Sequence, residues 1–231
     1  MITLISSVII DLFIVVISLL LVKKIKPNKG NLLNLAFGTF WLGATGIYFF
    51  VALTDLSGIF NSVYFSKLFF TLAIILAVIP FVSISLFLSA TSLKGKTIWI
   101  LPGISAITGL IYIYFNATAS YVGPLMEWTL KYIIQSNEAL LATQYSGYFS
   151  FVMVALLALL AFRARKTSTF IQFNSVAISM GLFFIGGYLD LIGTTGIETV
   201  LMRVVVVIGA LIGFVGFSPG IKLMKLAHRF S

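Results

Sequence analysis

The chain reads as an all-α membrane protein, an up-down bundle of seven spanning helices. Seven apolar stretches, 2–22, 32–53, 64–90, 98–115, 145–162, 170–189 and 200–217, occupy most of its 231 residues. Each is close to the ~20 residues that a helix needs to cross ~30 Å of hydrocarbon. Hydrophobic residues make up 60% of the chain and charged ones 9%, too few polar groups to cover a water-facing surface. Basic residues also gather in alternate connections, as they do when the insertion machinery sorts them to one side of a membrane.

That sorting assigns an orientation. Lys23, Lys24, Lys26 and Lys29 follow span one, Lys94 and Lys96 follow span three, Arg163, Arg165 and Lys166 follow span five, and Lys222, Lys225 and Arg229 follow span seven. Placed in the cytoplasm, these account for twelve of the fifteen basic residues and leave Lys67, Lys131 and Arg203 for the outer half. The N-terminus is then outside and the C-terminus inside. The acidic residues were not used in that assignment, and none falls on the cytoplasmic side: Asp55, Glu127, Glu138 and Glu198 lie in outer loops or helix ends, Asp190 at the outer end of span six, Asp11 within span one. The net charge of +9 is thus orientation chemistry, aided by anionic headgroups, and no nucleic-acid footprint.

Span one has no basic stretch before it and runs about twenty residues, so it reads as a retained helix and not as a signal peptide. Spans two and six carry Gly38, Gly43 and Gly46, and Gly181, Gly186 and Gly187. In span three Pro80 removes a backbone donor and should bend the helix, as a packing kink or a hinge. Short connections make consecutive spans antiparallel neighbours. The exception is the outer segment 116–144, where Pro124 is placed to open an interfacial helix with Leu125, Trp128, Leu130, Ile133 and Ile134 on its apolar side. Asn116-Ala117-Thr118 there matches a glycosylation sequon. In span seven Gly209, Gly213 and Gly216 form a small-residue face that lets another backbone approach, inside the bundle or in a homodimer.

Ionisable groups at membrane depth are the best lead to function, because each is costly in lipid and faces a partner or water. Asp11, nine residues into span one, sits roughly 14 Å below the outer boundary at ~1.5 Å per residue. Arg203 descends from the same side. If the helices close into a ring, spans one and seven are neighbours, and an Asp11–Arg203 ion pair neutralises both; Asp190 and Lys67 start from comparable levels and could extend the set. All nine tyrosines fall in the outer half or the outer loops. An aromatic belt explains many of them, but its one-sidedness allows an outward-facing pocket drawing on Tyr48, Tyr112, Tyr145, Tyr148 and Tyr188.

Catalytic groupings are nearly absent. There is no cysteine, and the one histidine, His228, lies in the tail, which leaves no thiolate or histidine metal site, nucleophile or triad. No P-loop, GxSxG, HExxH or dinucleotide motif appears. The chain reads as a single non-enzymatic domain, 1–231.

Three families share the seven-helix, N-out plan. Microbial rhodopsins hold retinal on a lysine in the middle of the last span. Span seven here has none, which argues against that cofactor. Sugar transporters of the SWEET type repeat a three-helix unit and carry a proline in several spans, and neither trait is present. The chain more closely resembles the N-terminal seven-helix sensor module of archaeal and bacterial histidine kinases. The resemblance rests on length, on the short basic links, on the second-span run Phe40-Trp41-Leu42-Gly43-Ala44-Thr45-Gly46, on the long outer segment between spans four and five, and on the ending Gly213-Phe214-Val215-Gly216-Phe217-Ser218-Pro219. It implies sensing at an outer or intramembrane pocket and signalling through a cytoplasmic or membrane partner, although no PAS, HAMP or kinase domain follows. A small-solute or ion transporter using Asp11, Asp190 and Arg203, with Asn34, Gln172 and Asn174 completing the inner path, is the alternative from another class; a membrane scaffold subunit is a third.

Overall fold

A computed structural model describes residues 2–27, 30–60, 62–118, 121–122, 133–134, 136–163, 170–192 and 196–217. The helices are α1 (Ile2–Ile25), α2 (Leu32–Ile59), α3 (Val63–Leu76), α4 (Val78–Ser92), α5 (Ile100–Thr118), α6 (Asn137–Arg163), α7 (Phe170–Ile192) and α8 (Gly196–Gly216). A 3-10 turn, Gly95–Trp99, leads into α5, and two short strands, β1 (Tyr121–Val122) and β2 (Ile133–Ile134), lie between α5 and α6. Among the described residues, with α3 and α4 counted together as one span, seven helices are long and apolar enough to cross a bilayer. The chain is an integral, multi-pass membrane protein.

Consecutive spans pack side by side, and α1 packs against α8, closing a ring. Late residues of α2, α5 and α7 (Asp55, Tyr112, Asp190) share one end of the bundle with early residues of α6 and α8 (Ser146, Arg203), so the helices alternate in direction. First and last helices run parallel, as an odd number of crossings requires. Asp11 meets Arg203 near their starts, and near their ends the Lys24 ammonium donates to the Phe214 carbonyl while sitting 4.7 Å from the centre of that residue's ring. A cation there satisfies a helix-terminal carbonyl that lacks an intrahelical donor.

On α1 the fully buried residues are Ser7, Asp11, Ile14, Ser18, Leu21 and Ile25. Their alternating spacing of three and four keeps them on one stripe of the helix. Ile9, Phe13, Val16 and Leu20 face outward, as they do when lipid and not water surrounds the bundle. Lipid supplies no hydrophobic drive between helices, so the interior is held by close packing and polar contacts. Its centre is aromatic. Phe40 meets Phe183 edge-on at 4.9 Å and Phe184 at 5.6 Å between centroids, and Trp41 meets Phe183 at 6.0 Å.

The third span breaks at Ala77, which separates α3 from α4 and donates its N–H to both Ala73 and Ile74 at 3.1 Å. Pro80 is the cause. It lacks the N–H that would bond the Leu76 carbonyl, and its ring crowds that carbonyl. Pro80 is buried against α2 at Gly43, where a Cβ would come within 2.8 Å of the proline ring.

Three segments differ from the sequence expectation. Helix α2 continues to Ile59, past the expected end at 53, and α6 begins at Asn137, eight residues before the expected 145. Ser136 caps α6 by accepting the Ala139 N–H at 3.3 Å, the ordinary device for an unpaired first-turn donor. Ile133 and Ile134, expected in an interfacial helix, pair antiparallel with Val122 and Tyr121, a pairing suited to β-branched residues. Pro124, Leu125, Trp128 and Leu130 of that expected helix lie outside the described residues, as do Lys29, His228 and the basic tail.

Candidate functional site

The last helix builds the site. Thr199, Arg203, Val206 and Ala210 recur at helical spacing on its buried face, and α7 comes close through glycines. A Cβ at Gly186 would stand 2.8 Å from the Met202 carbonyl oxygen, and one at Gly209 would stand 3.1 Å from that of Ser179. Gly213 and Gly216 face Ser179 and Ser175 of the same helix. The small-residue face expected on span seven is therefore covered by α7, and a homodimer through it would have to displace that helix.

Arg203, 4% exposed, gathers three carboxylates. Its Nη1 lies 2.6 Å from Asp11 Oδ2, 2.7 Å from Asp55 Oδ2 and 2.8 Å from Ser7 Oγ, while Nε reaches Asp190 Oδ2 at 3.3 Å. Four helices meet in this one group: α1 through Ser7 and Asp11, α2 through Asp55, α7 through Asp190, and α8. Nη1 has two hydrogens, enough for Asp11 and Asp55, and the Ser7 hydroxyl is free to turn and donate to Asp55. One guanidinium faces three carboxylates, a formal excess of two negative charges. The second oxygens of Asp11 and Asp55 are buried with no hydrogen-bond partner, as is the hydroxyl of Thr199, one turn before Arg203.

A cavity of about 190 Å³ opens beside this cluster. Asp55, Asp190, Thr199 and Arg203 form its charged wall. Phe70 and Phe81, with Phe183 and Phe184 of α7, also line it. Tyr48, Tyr112 and Tyr188 complete the aromatic lining. Gly147 gives Tyr188 its seat, since any side chain there would occupy the space of the tyrosine ring. Ala73, Ile74 and Ala77 also line the cavity, so the break in the third span faces it.

Of the residues singled out from the sequence, Asp11, Arg203 and Asp190 come together, and Tyr48, Tyr112 and Tyr188 line the adjoining space. Lys67 does not join them; it is exposed on α3, where its stem can carry the ammonium towards the interface. Tyr145 and Tyr148 are exposed on the flank of α6, in the position of belt residues and not of a pocket wall. Asn116 is buried in α5, its side chain donating to the Tyr112 carbonyl and accepting from Thr143, so the sequon asparagine is not presented for glycosylation. Asp55, expected in an outer loop or at a helix end because apolar character fades after Leu53, lies buried within α2. Its signal was periodicity, for Tyr48, Ala52 and Asp55 repeat the helical spacing of a buried face.

No known protein family matches the chain, and no curated protein matches it in sequence.

Proposed function

We propose that this protein is a sensor-like or receptor-like seven-helix bundle, non-catalytic, that admits a small molecule to the Arg203 cavity and passes its arrival along α8 to a cytoplasmic or membrane partner. One observation carries the reading: the cavity wall contains Asp55, Asp190 and Arg203, the part of the ionic cluster that holds α2 and α7 onto α8. A molecule in that cavity touches the bonds that position the last helix. Ligand pockets commonly join apolar walls to a few convergent polar groups, as here. The distribution of lysine and arginine supports a cavity facing outward, with the N-terminus outside and the end of α8 in the cytoplasm.

The cavity lining belongs to one half of the bundle, from Ile47, Ser150 and Phe183 near mid-helix to Asp55 and Asp190 at the end. That favours a dead-end pocket over a permeation path. The glycine faces are spent on contacts within the chain, which weakens the scaffold alternative.

The test uses the absence of native cysteine. Spin labels at Leu159→Cys on α6 and Val215→Cys on α8, both exposed, report the distance between these helices in nanodiscs. A small aromatic molecule that binds the cavity should shift that distance distribution, and Gly187→Phe, which fills the cavity from a position whose Cβ meets nothing within 4 Å, should abolish the shift. Binding that leaves the distribution unchanged would refute signalling through α8.

A further inference from the structure

We propose that the cavity selects a protonated organic amine with an aromatic or apolar body about the size of a substituted benzene. This rests on the reading of the cavity as a ligand site and adds the class of ligand.

Charge points to a cation. Among the described residues Arg203 is the only basic group on the cavity wall, and it turns Nε and Nη1 to carboxylates, so an incoming anion meets a guanidinium already shared among acids, with the Asp190 carboxylate beside it. Asp190 keeps 17% of its side-chain surface exposed and engages Arg203 through one oxygen at 3.3 Å. Independently of the acids, the Thr199 hydroxyl lines the cavity at 3% exposure with no partner. A buried hydroxyl in that state lacks a hydrogen bond that a ligand can supply. Asp190, Asp55 and Thr199 offer three acceptors on one wall, and an ammonium has three N–H donors.

The walls point to an organic cation. Tyr48, Phe183, Phe184 and Tyr188 present rings to the cavity, which attract an ammonium through their faces and hold an apolar body by contact. A bare metal ion would need carboxylates converging on a common point. Here they converge on a guanidinium, and among the described residues no acidic group has a metal-site arrangement. The volume of about 190 Å³ is somewhat more than a cavity of roughly 150 Å³ that accepts benzene.

Three probes of similar shape separate the possibilities: 2-phenylethylammonium, its neutral analogue propylbenzene, and anionic 3-phenylpropanoate. Each is titrated at neutral pH against the full chain in nanodiscs, with empty nanodiscs as reference. The ammonium should bind at least about tenfold more tightly than propylbenzene and the carboxylate should bind weakest, a tenfold step corresponding to ~1.4 kcal/mol. Asp190→Asn should remove most of the ammonium's advantage and leave propylbenzene within about twofold. Thr199→Val, which keeps shape and charge, provides the same comparison if the aspartate variant fails to fold. If propylbenzene binds as well as the ammonium, the cavity remains a ligand site and amine selectivity is overturned. If no probe binds, or all bind equally to the Gly187→Phe variant, the ligand-site reading falls with it.

Discussion

Arg203 Nη1 and Asp11 Oδ2 stand 2.6 Å apart although 192 positions separate them in the chain, so the last helix is bonded to the first. Neither charge is tolerable alone in hydrocarbon, and removing one partner of a buried ion pair is costly because the other is left uncompensated. The pair bridges the two helices that close the ring. Asp55 shares Nη1 with Asp11, and Asp190 takes Nε.

Removing the guanidinium should cost much more than removing one acid. Arg203→Met leaves buried carboxylates unpaired and should lower stability by about 3–5 kcal/mol, read from reversible unfolding in mixed micelles. In an Asp11→Asn background the loss should shrink, with a coupling of at least ~1 kcal/mol. Strict additivity would show that the two side chains do not interact.

Lysine should not replace this arginine. The site uses two nitrogens of a planar fork pointing in different directions, and an ammonium is a single point of charge. Arg203→Lys should therefore cost roughly 1–3 kcal/mol, visible as a lowered melting temperature, even though the formal charge is unchanged.

Two adjacent glycines should respond differently to the same methyl group. At Gly186 a Cβ meets the Met202 backbone oxygen at 2.8 Å, and at Gly187 it meets nothing within 4 Å. Gly186→Ala should destabilise by about 1–3 kcal/mol as α7 is pushed from α8; Gly187→Ala should be neutral or slightly stabilising. Equal melting temperatures would contradict the close approach of these helices.

The seven spans and the closeness of Asp11 to Arg203 were legible because both follow from what lipid forbids: unpaired backbone and unpaired charge. Asp55 was not, because a window of hydropathy ends a helix where polarity rises, and the partner that lets this aspartate stay buried comes from α8, 148 positions away. Depth alone groups Lys67 with the acids. Depth does not say which face of a helix a residue occupies, and Lys67 occupies an exposed one. The tyrosines divide on the same ground, since an aromatic side chain suits a lipid interface and a pocket wall equally well.

Orientation is checked by labelling. Cysteines introduced singly at Thr97, in the turn before α5, and at Asn137, which opens α6, occupy exposed positions at opposite ends of the bundle. A membrane-impermeant maleimide should modify the Asn137→Cys protein in intact cells and the Thr97→Cys protein only after permeabilisation. The reverse pattern would invert the proposed sidedness and make the cavity face the cytoplasm.

The ionic knot also dictates an order of assembly. Asp55 is made 148 residues before the arginine that donates to it, and at ~5–20 residues per second of synthesis that interval is roughly seven to thirty seconds. During this time the early helices carry acids with no counter-ion, and only the arrival of the seventh crossing completes the set. The final helix is thus the keystone of biogenesis: a nascent chain stalled before it presents three orphan aspartates, Asp11, Asp55 and Asp190, to the quality-control machinery of its membrane.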